Sequence, residues 1–107
     1  MYATIRRYTP SDANAMRDGL EGLKQRIDKK FFPMLQDVRG FHGYYVVNAN
    51  DQELVTISLF EDQSGAQEST RRAAEFVRTD PLRDLLTDPE VIEGELILSK
   101  EAAVGTH

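Results

Sequence analysis

The chain has 107 residues, room for one domain, and sets 13 Lys plus Arg against 18 Asp plus Glu for a formal charge of −5. Its 40% hydrophobic and 29% charged residues are a globular composition, not that of a disordered chain. With no cysteine, disulfides, thiolate zinc sites, iron–sulfur clusters and Cys nucleophiles are excluded, and the acidic balance argues against nucleic acid. No apolar run approaches the roughly 20 residues that span a bilayer, and no signal-like stretch follows Met1, so a cytoplasmic protein with no membrane partner is expected.

Tyr2 to Tyr8 is rich in β-branched and aromatic residues and predicts a first strand, closed by Thr9-Pro10-Ser11-Asp12, where Ser11 or Asp12 can cap a helix. Ala13, Met16, Leu20, Leu23, Ile27 and Phe31 then recur at spacings of three and four, the stripe of an amphipathic helix. Pro33 predicts a break or kink near Phe32, followed by a turn with Met34, Leu35 and Val38. Phe41–Val47 and Glu53–Phe60 read as a hairpin joined through the polar residues 48–52. Asp62 or Ser64 caps a second helix over 64–77, whose buried candidates include Ala66, Ala73, Ala74, Phe76 and Val77. Thr79-Asp80-Pro81 starts a short helix carrying Leu82, Leu85 and Leu86. Val91–Ser99 is the last strand, and 100–107 reads as a flexible tail beyond a domain of 1–99.

The order β-α-β-β-α-β predicts an α+β, ferredoxin-like fold, a four-stranded antiparallel sheet with both helices on one face. A sheet bare on its other side would alternate cleanly between apolar and polar residues. Here Val55, Ile57 and Leu59 oppose Leu54, Thr56, Ser58 and Phe60 on the third strand. Phe41, Gly43, Tyr45 and Val47 oppose His42, Tyr44 and Val46 on the second, and Ile92, Leu96 and Leu98 oppose Glu93, Glu95 and Ile97 on the fourth. Apolar residues on both sides predict that both faces are covered, and a homodimer packed sheet on sheet is the expected partner.

Gly40-Phe41-His42-Gly43-Tyr44-Tyr45, then Ser58-Leu59-Phe60-Glu61-Asp62 leading to Ala66 and Ser69, and Gly94-Glu95-Leu96 near the end, resemble the antibiotic-biosynthesis-monooxygenase-like dimeric α+β barrels. The resemblance runs through Ser99. It implies a dimeric barrel with a ligand cleft between each sheet and its helices. Family members include cofactor-free oxygenases of phenolic polyketides, haem-degrading enzymes and proteins with no known reaction. The haem-degrading relatives use an Asn on strand one, and a Trp and a His on or after helix two. Here Arg6 takes the strand position, there is no Trp, and the two histidines are His42 and His107. An iron porphyrin needs an axial ligand, so no cofactor and no metal are expected.

Oxygenation without a cofactor needs a base, a clamp for a phenolate or quinone oxygen, and dry walls. Arg6 offers the fork and His42 the imidazole, and these are the expected catalytic residues. Tyr8 and Tyr44 can donate to a carbonyl and Phe60 can stack on a ring, which makes them the expected substrate-binding residues. Plainer roles exist for each. Arg6 can pair with Glu93 or Glu95 on the neighbouring strand, a strand histidine can be exposed or structurally bonded, and the tyrosines can be core or interface. Hydrophobicity would turn Ala3 and Ile5 toward the helices, whereas the resemblance turns Arg6 there. Arg71-Arg72 reads as a solvated helix face bonded to Glu68 or Glu75. The expected function is a cofactor-independent monooxygenase of an aromatic or quinol-type small molecule. The alternatives are a non-catalytic small-molecule-binding or stress-related barrel, and an oxygen-independent isomerase or lyase of a small cyclic acid.

Overall fold

In the computed structural model, which describes residues 1–102, four strands form one antiparallel sheet: β1 (Tyr2–Tyr8), β2 (Phe41–Ala49), β3 (Glu53–Phe60) and β4 (Glu90–Glu95). Their order, β2-β3-β1-β4, is that of the ferredoxin-like fold, and the helices between them cover one face. Helix α1 (Ala13–Arg26) starts at Asp12, whose carboxylate accepts from the Asn14 amide at 2.8 Å. Helix α3 (Gln63–Thr79) starts at Asp62, which accepts from the Gly65 amide at 3.0 Å. In both, a short acidic side chain satisfies an amide that the first turn leaves free.

Pro33 does not break the first helical region. A π-helical turn, Ile27–Phe31, leads into α2 (Phe32–Gln36), with the Phe32 amide donating to the Ile27 carbonyl five residues back. The widened turn takes up the ring and the missing N–H of Pro33, and the helical path continues. Met16, Leu23, Ile27, Phe31 and Leu35 are buried, so the apolar stripe faces the sheet across this junction. At the end of the region Gly40 takes φ +83°, and a Cβ there would stand 3.1 Å from that of Glu61. The position needs glycine on both counts.

Asn50 and Asp51 adopt left-handed backbone in the β2–β3 hairpin, and Asn48 accepts from the Asp51 amide at 3.0 Å. The register shifts between Phe41 and Gly43, so Phe41 and Tyr44 oppose Phe60 and Ser58 on the helix side. Strict alternation had put Phe41 on the opposite side from Tyr44; the bulge reverses this. The last strand stops at Glu95 instead of Ser99. β1 begins at Tyr2, which pairs with Glu95, and the last bond along this edge runs from the Leu96 amide to the Met1 carbonyl. Ile97 and Leu98 are therefore exposed. The residues after α3 form a 3₁₀ turn, Pro81–Asp84, capped by buried Asp80, which also accepts from Arg26 Nε at 3.1 Å. Residues 103–107, including His107 and most of the expected tail, lie outside the described part. Among the described residues no helix is long and apolar enough to cross a membrane.

Alternation along β1 and β3 separates two unlike faces. Thr4, Arg6, Tyr8, Leu54, Thr56, Ser58 and Phe60 are buried beneath the helices. Ala3, Ile5, Val55, Ile57 and Leu59 are half-buried on the bare face, flanked by exposed Tyr45, Val47 and Ile92 on the edge strands.

Candidate functional site

Arg6 sits at the centre of the helix-covered face and is 1% exposed. Its Nη2 donates to Ser69 Oγ at 2.8 Å and to Thr70 Oγ1 at 3.3 Å, both on α3. These two hydroxyls donate their own protons to the Ala66 carbonyl, at 2.7 and 3.3 Å, which leaves their lone pairs for the guanidinium. Nε and Nη1 of Arg6 are buried with no partner. No carboxylate among the described residues forms an ion pair with it; Glu93 and Glu95 oppose Thr4 and Tyr2, not Arg6. Burial lowers the Arg6 pKa from the usual guanidinium value, while Tyr8, Tyr44 and Glu93 act in the opposite sense. A guanidinium so far above neutrality stays charged regardless.

Around it lies a polar patch. Thr4 pairs across the strands with Ser58, and Arg6 with Thr56. The hydroxyls of Thr4, Thr56 and Ser58 are buried and, like the two free guanidinium nitrogens, have no protein partner. Buried polar atoms are rarely left so, and five in adjacent side chains mark a place where an acceptor or water belongs. Thr56 also borders a narrow cavity of about 20 Å³, room for about one water, between Tyr8 and Tyr44 on the sheet and Ile27, Phe31 and Phe76 on the helices. Burial pushes both phenols above the ordinary tyrosine range, against the pull of Arg6. Both are therefore neutral donors at neutral pH.

The cavity lies between two open clefts. Tyr8 and Thr70 border one of about 350 Å³ that runs between α3 and the 3₁₀ turn. Tyr44 borders the other, about 310 Å³, with Ile27, Phe32 and Val46. Thr70 joins the first cleft to Arg6, since the residue lines the opening and its hydroxyl accepts from the guanidinium.

Of the residues expected at the site, Tyr8 and Tyr44 line the cavity, and β1 turns Arg6, not Ile5, toward the helices; Arg6 itself borders neither the cavity nor a cleft and reaches the first cleft only through Thr70. Phe60 lies elsewhere. It is wholly buried against Phe41, 5.7 Å between ring centres, and beneath Gly65, and it borders neither the cavity nor either cleft. Stacking on a ligand is closed to it because the start of α3 occupies its face. His42 is also apart, exposed at the bulge of an edge strand with Nε2 3.5 Å from Glu61. Arg71 and Arg72 both bond Glu68, and Arg72 further ties α3 to the Met34 carbonyl at 2.8 Å. Thr4, Thr56, Ser58, Ser69 and Thr70 were not foreseen as site residues. Thr4-x-Arg6, Thr56-x-Ser58 and the Ser69-Thr70 pair carry the signal, because a guanidinium turned inward needs hydroxyls.

The geometry invites comparison with known proteins. No protein-family profile and no curated sequence matches the chain. Solved structures do match. A dimeric ferredoxin-like protein from an uncultured marine organism superposes with TM-score 0.74 at 10% identity, over 94% of this chain and 98% of its own. The heme degrader MhuD from Mycobacterium tuberculosis gives 0.69 at 13% identity, over 94% and 100%. The cofactor-independent oxygenase SnoaB from Streptomyces nogalater gives 0.59 at 16% identity, over 97% and 96%. The chain has the ferredoxin-like fold that these proteins share. Within that fold, haem does not fit these residues. Helix α3 contains no histidine, and His42, the one histidine among the described residues, borders neither the cavity nor the clefts.

Proposed function

We propose that the chain is a cofactor-independent monooxygenase of an aromatic or quinol-type small molecule, bound between β1 and α3 with a phenolic oxygen directed at Arg6. The observation that carries this reading is a buried guanidinium with two unused nitrogens and no carboxylate beside it. An uncompensated buried charge costs a fold several kcal/mol, on the order of 3–5 kcal/mol when a partner is removed, and an anionic ligand would offset that cost. Arg6 then favours the ionised phenol, the electron-rich form that reduces oxygen. The substrate proton leaves to water at the cleft mouth, where Asp88 is the lining carboxylate. For an anthrone, dioxygen adds at the ring methylene and the hydroperoxide loses water. One oxygen atom ends in the new ketone, the other takes both methylene hydrogens as water, and the substrate supplies every electron. Tyr8, which lines the cleft, donates to a ring oxygen, and the apolar walls keep the radical pair from solvent.

The bare sheet face, apolar along β1 and β3, supports a two-fold homodimer, in keeping with a structural neighbour described as dimeric. A second reading is a non-catalytic binding barrel, favoured by the exposed position of His42, which leaves the buried cavity without a base. Incubating the protein with a hydroxylated anthrone in air and under argon separates the readings. Oxygen-dependent product, lost in Arg6→Met, is expected. Bound but unchanged ligand in both atmospheres would establish the binding barrel, and product in both would establish the oxygen-independent isomerase or lyase.

A further inference from the structure

We infer that the ligand of the Tyr8–Thr70 cleft carries an acid group, a carboxylate, on its apolar body, and that Arg78 and Arg83 at the mouth select it. This rests on the reading of that cleft as the ligand site. Arg78 projects from the last turn of α3 and Arg83 from the 3₁₀ turn, and both border the opening. Most other arginines are committed: Arg7 to Glu53 and Glu90, Arg26 to Asp80, Arg71 to Glu68, and Arg72 to Glu68 and Asp37. Arg78 forms no ion pair or side-chain hydrogen bond among the described residues, and Arg83 reaches only the adjacent Asp84, at 4.0 Å. Arg6 stands behind the Thr70 wall with its own charge unmatched. Against these three positive groups the lining offers one carboxylate, Asp88, in a chain whose formal charge is −5.

The rest of the lining defines the body of the ligand. Ala74, Val77, Leu86 and Pro89 form apolar walls, and about 350 Å³ is the lower range of small-molecule sites. A flat apolar molecule fits such walls. Cations at the rim then fix which end faces out, since paired guanidiniums grip a carboxylate as forks. The oxygen directed at Arg6 lies at the inner end of the molecule and the acid at the outer end.

The test is binding, not turnover, and uses a redox-inert fluorescent probe. Anthracene-2-carboxylate and its methyl ester are titrated against the full chain at low salt. The acid is expected to bind about tenfold more tightly than the ester. In the Arg78→Gln/Arg83→Gln double variant the gap closes, while Arg71→Gln, a surface change on the same helix, leaves it intact. Equal affinity of the wild-type chain for acid and ester overturns the inference and leaves the cleft standing. A preference that survives the double variant but is lost in Arg6→Met also overturns it, because the acid then sits inside. If neither probe binds, the cleft is not the ligand site and both readings fall.

Discussion

Beneath the helices, the middle of β1 and β3 shows Thr4, Arg6, Thr56 and Ser58. On the bare side the same strands show Ala3, Ile5, Val55, Ile57 and Leu59. The usual distribution is thus inverted at the centre of the sheet, with polar groups inside and apolar groups outside. Burial of Met16, Leu23, Leu35, Leu54 and Phe60 around the patch holds the fold together despite it. Five unpartnered polar atoms subtract from that, at roughly 1–3 kcal/mol for each neutral group. Such an inversion is what the proposed ligand on one side and the proposed second sheet on the other would account for, and it makes the two faces separately testable.

The sharpest way to break the comparison is to charge the bare face. Ile57→Glu would place a carboxylate in each half of the proposed dimer, and an unpaired buried charge of about 3–5 kcal/mol weakens association by more than about a hundredfold. Sedimentation at micromolar concentration should show twice 12.1 kDa for the wild type and a single chain for the variant. A wild-type chain that sediments alone would end the account of this face.

The covered face is tested by removing its charge. Arg6→Met keeps the volume and deletes the unmatched guanidinium, so urea denaturation should show a gain of roughly 1–4 kcal/mol. Binding of a phenolic ligand should be lost in the same variant. If the variant instead loses several kcal/mol, the bonds to Ser69 and Thr70 are structural and the patch is not a ligand site. A smaller version of the same effect is expected for Thr4→Val, which exchanges an unbonded hydroxyl for a methyl. It should gain about 1 kcal/mol, read from the same urea midpoints.

Much of the covered face was legible. The i, i+3, i+4 stripe from Met16 to Phe31, the Asp12 and Asp62 caps and the 48–52 turn depend on neighbours in sequence, and local chemistry decides them. The features that escaped depend on remote partners. β4 ends where β1 begins, which nothing in Leu96 to Ser99 records. The bulge beside His42 turns Phe41 inward, and no residue type announces it. Hydrophobicity pointed the wrong way at Ile5, because the pattern rule takes the helices as the only cover; the family resemblance gave Arg6 its correct side. Ser69 and Thr70 read as ordinary helix residues until an inward arginine across from them needed acceptors.

The two buried phenols distinguish the faces at high pH, though not at neutrality. Burial raises the pKa of both Tyr44 and Tyr8 above the value near 10 that tyrosine has in an unfolded chain. Their contribution to stability is therefore complete below about pH 10 and falls as pH climbs toward the folded values, because the unfolded chain releases these protons first. The slope is about 1.4 kcal/mol per pH unit for each phenol still protonated only in the fold. Urea midpoints between pH 9 and 11 should fall less steeply in Tyr44→Phe than in the wild type. Tyr2→Phe, a half-buried phenol that borders neither the cavity nor a cleft, serves as the control for removing a phenol. Equal slopes in all three would mean that Tyr44 is not closed off from water, and that the wall between cavity and solvent is open where the site needs it shut.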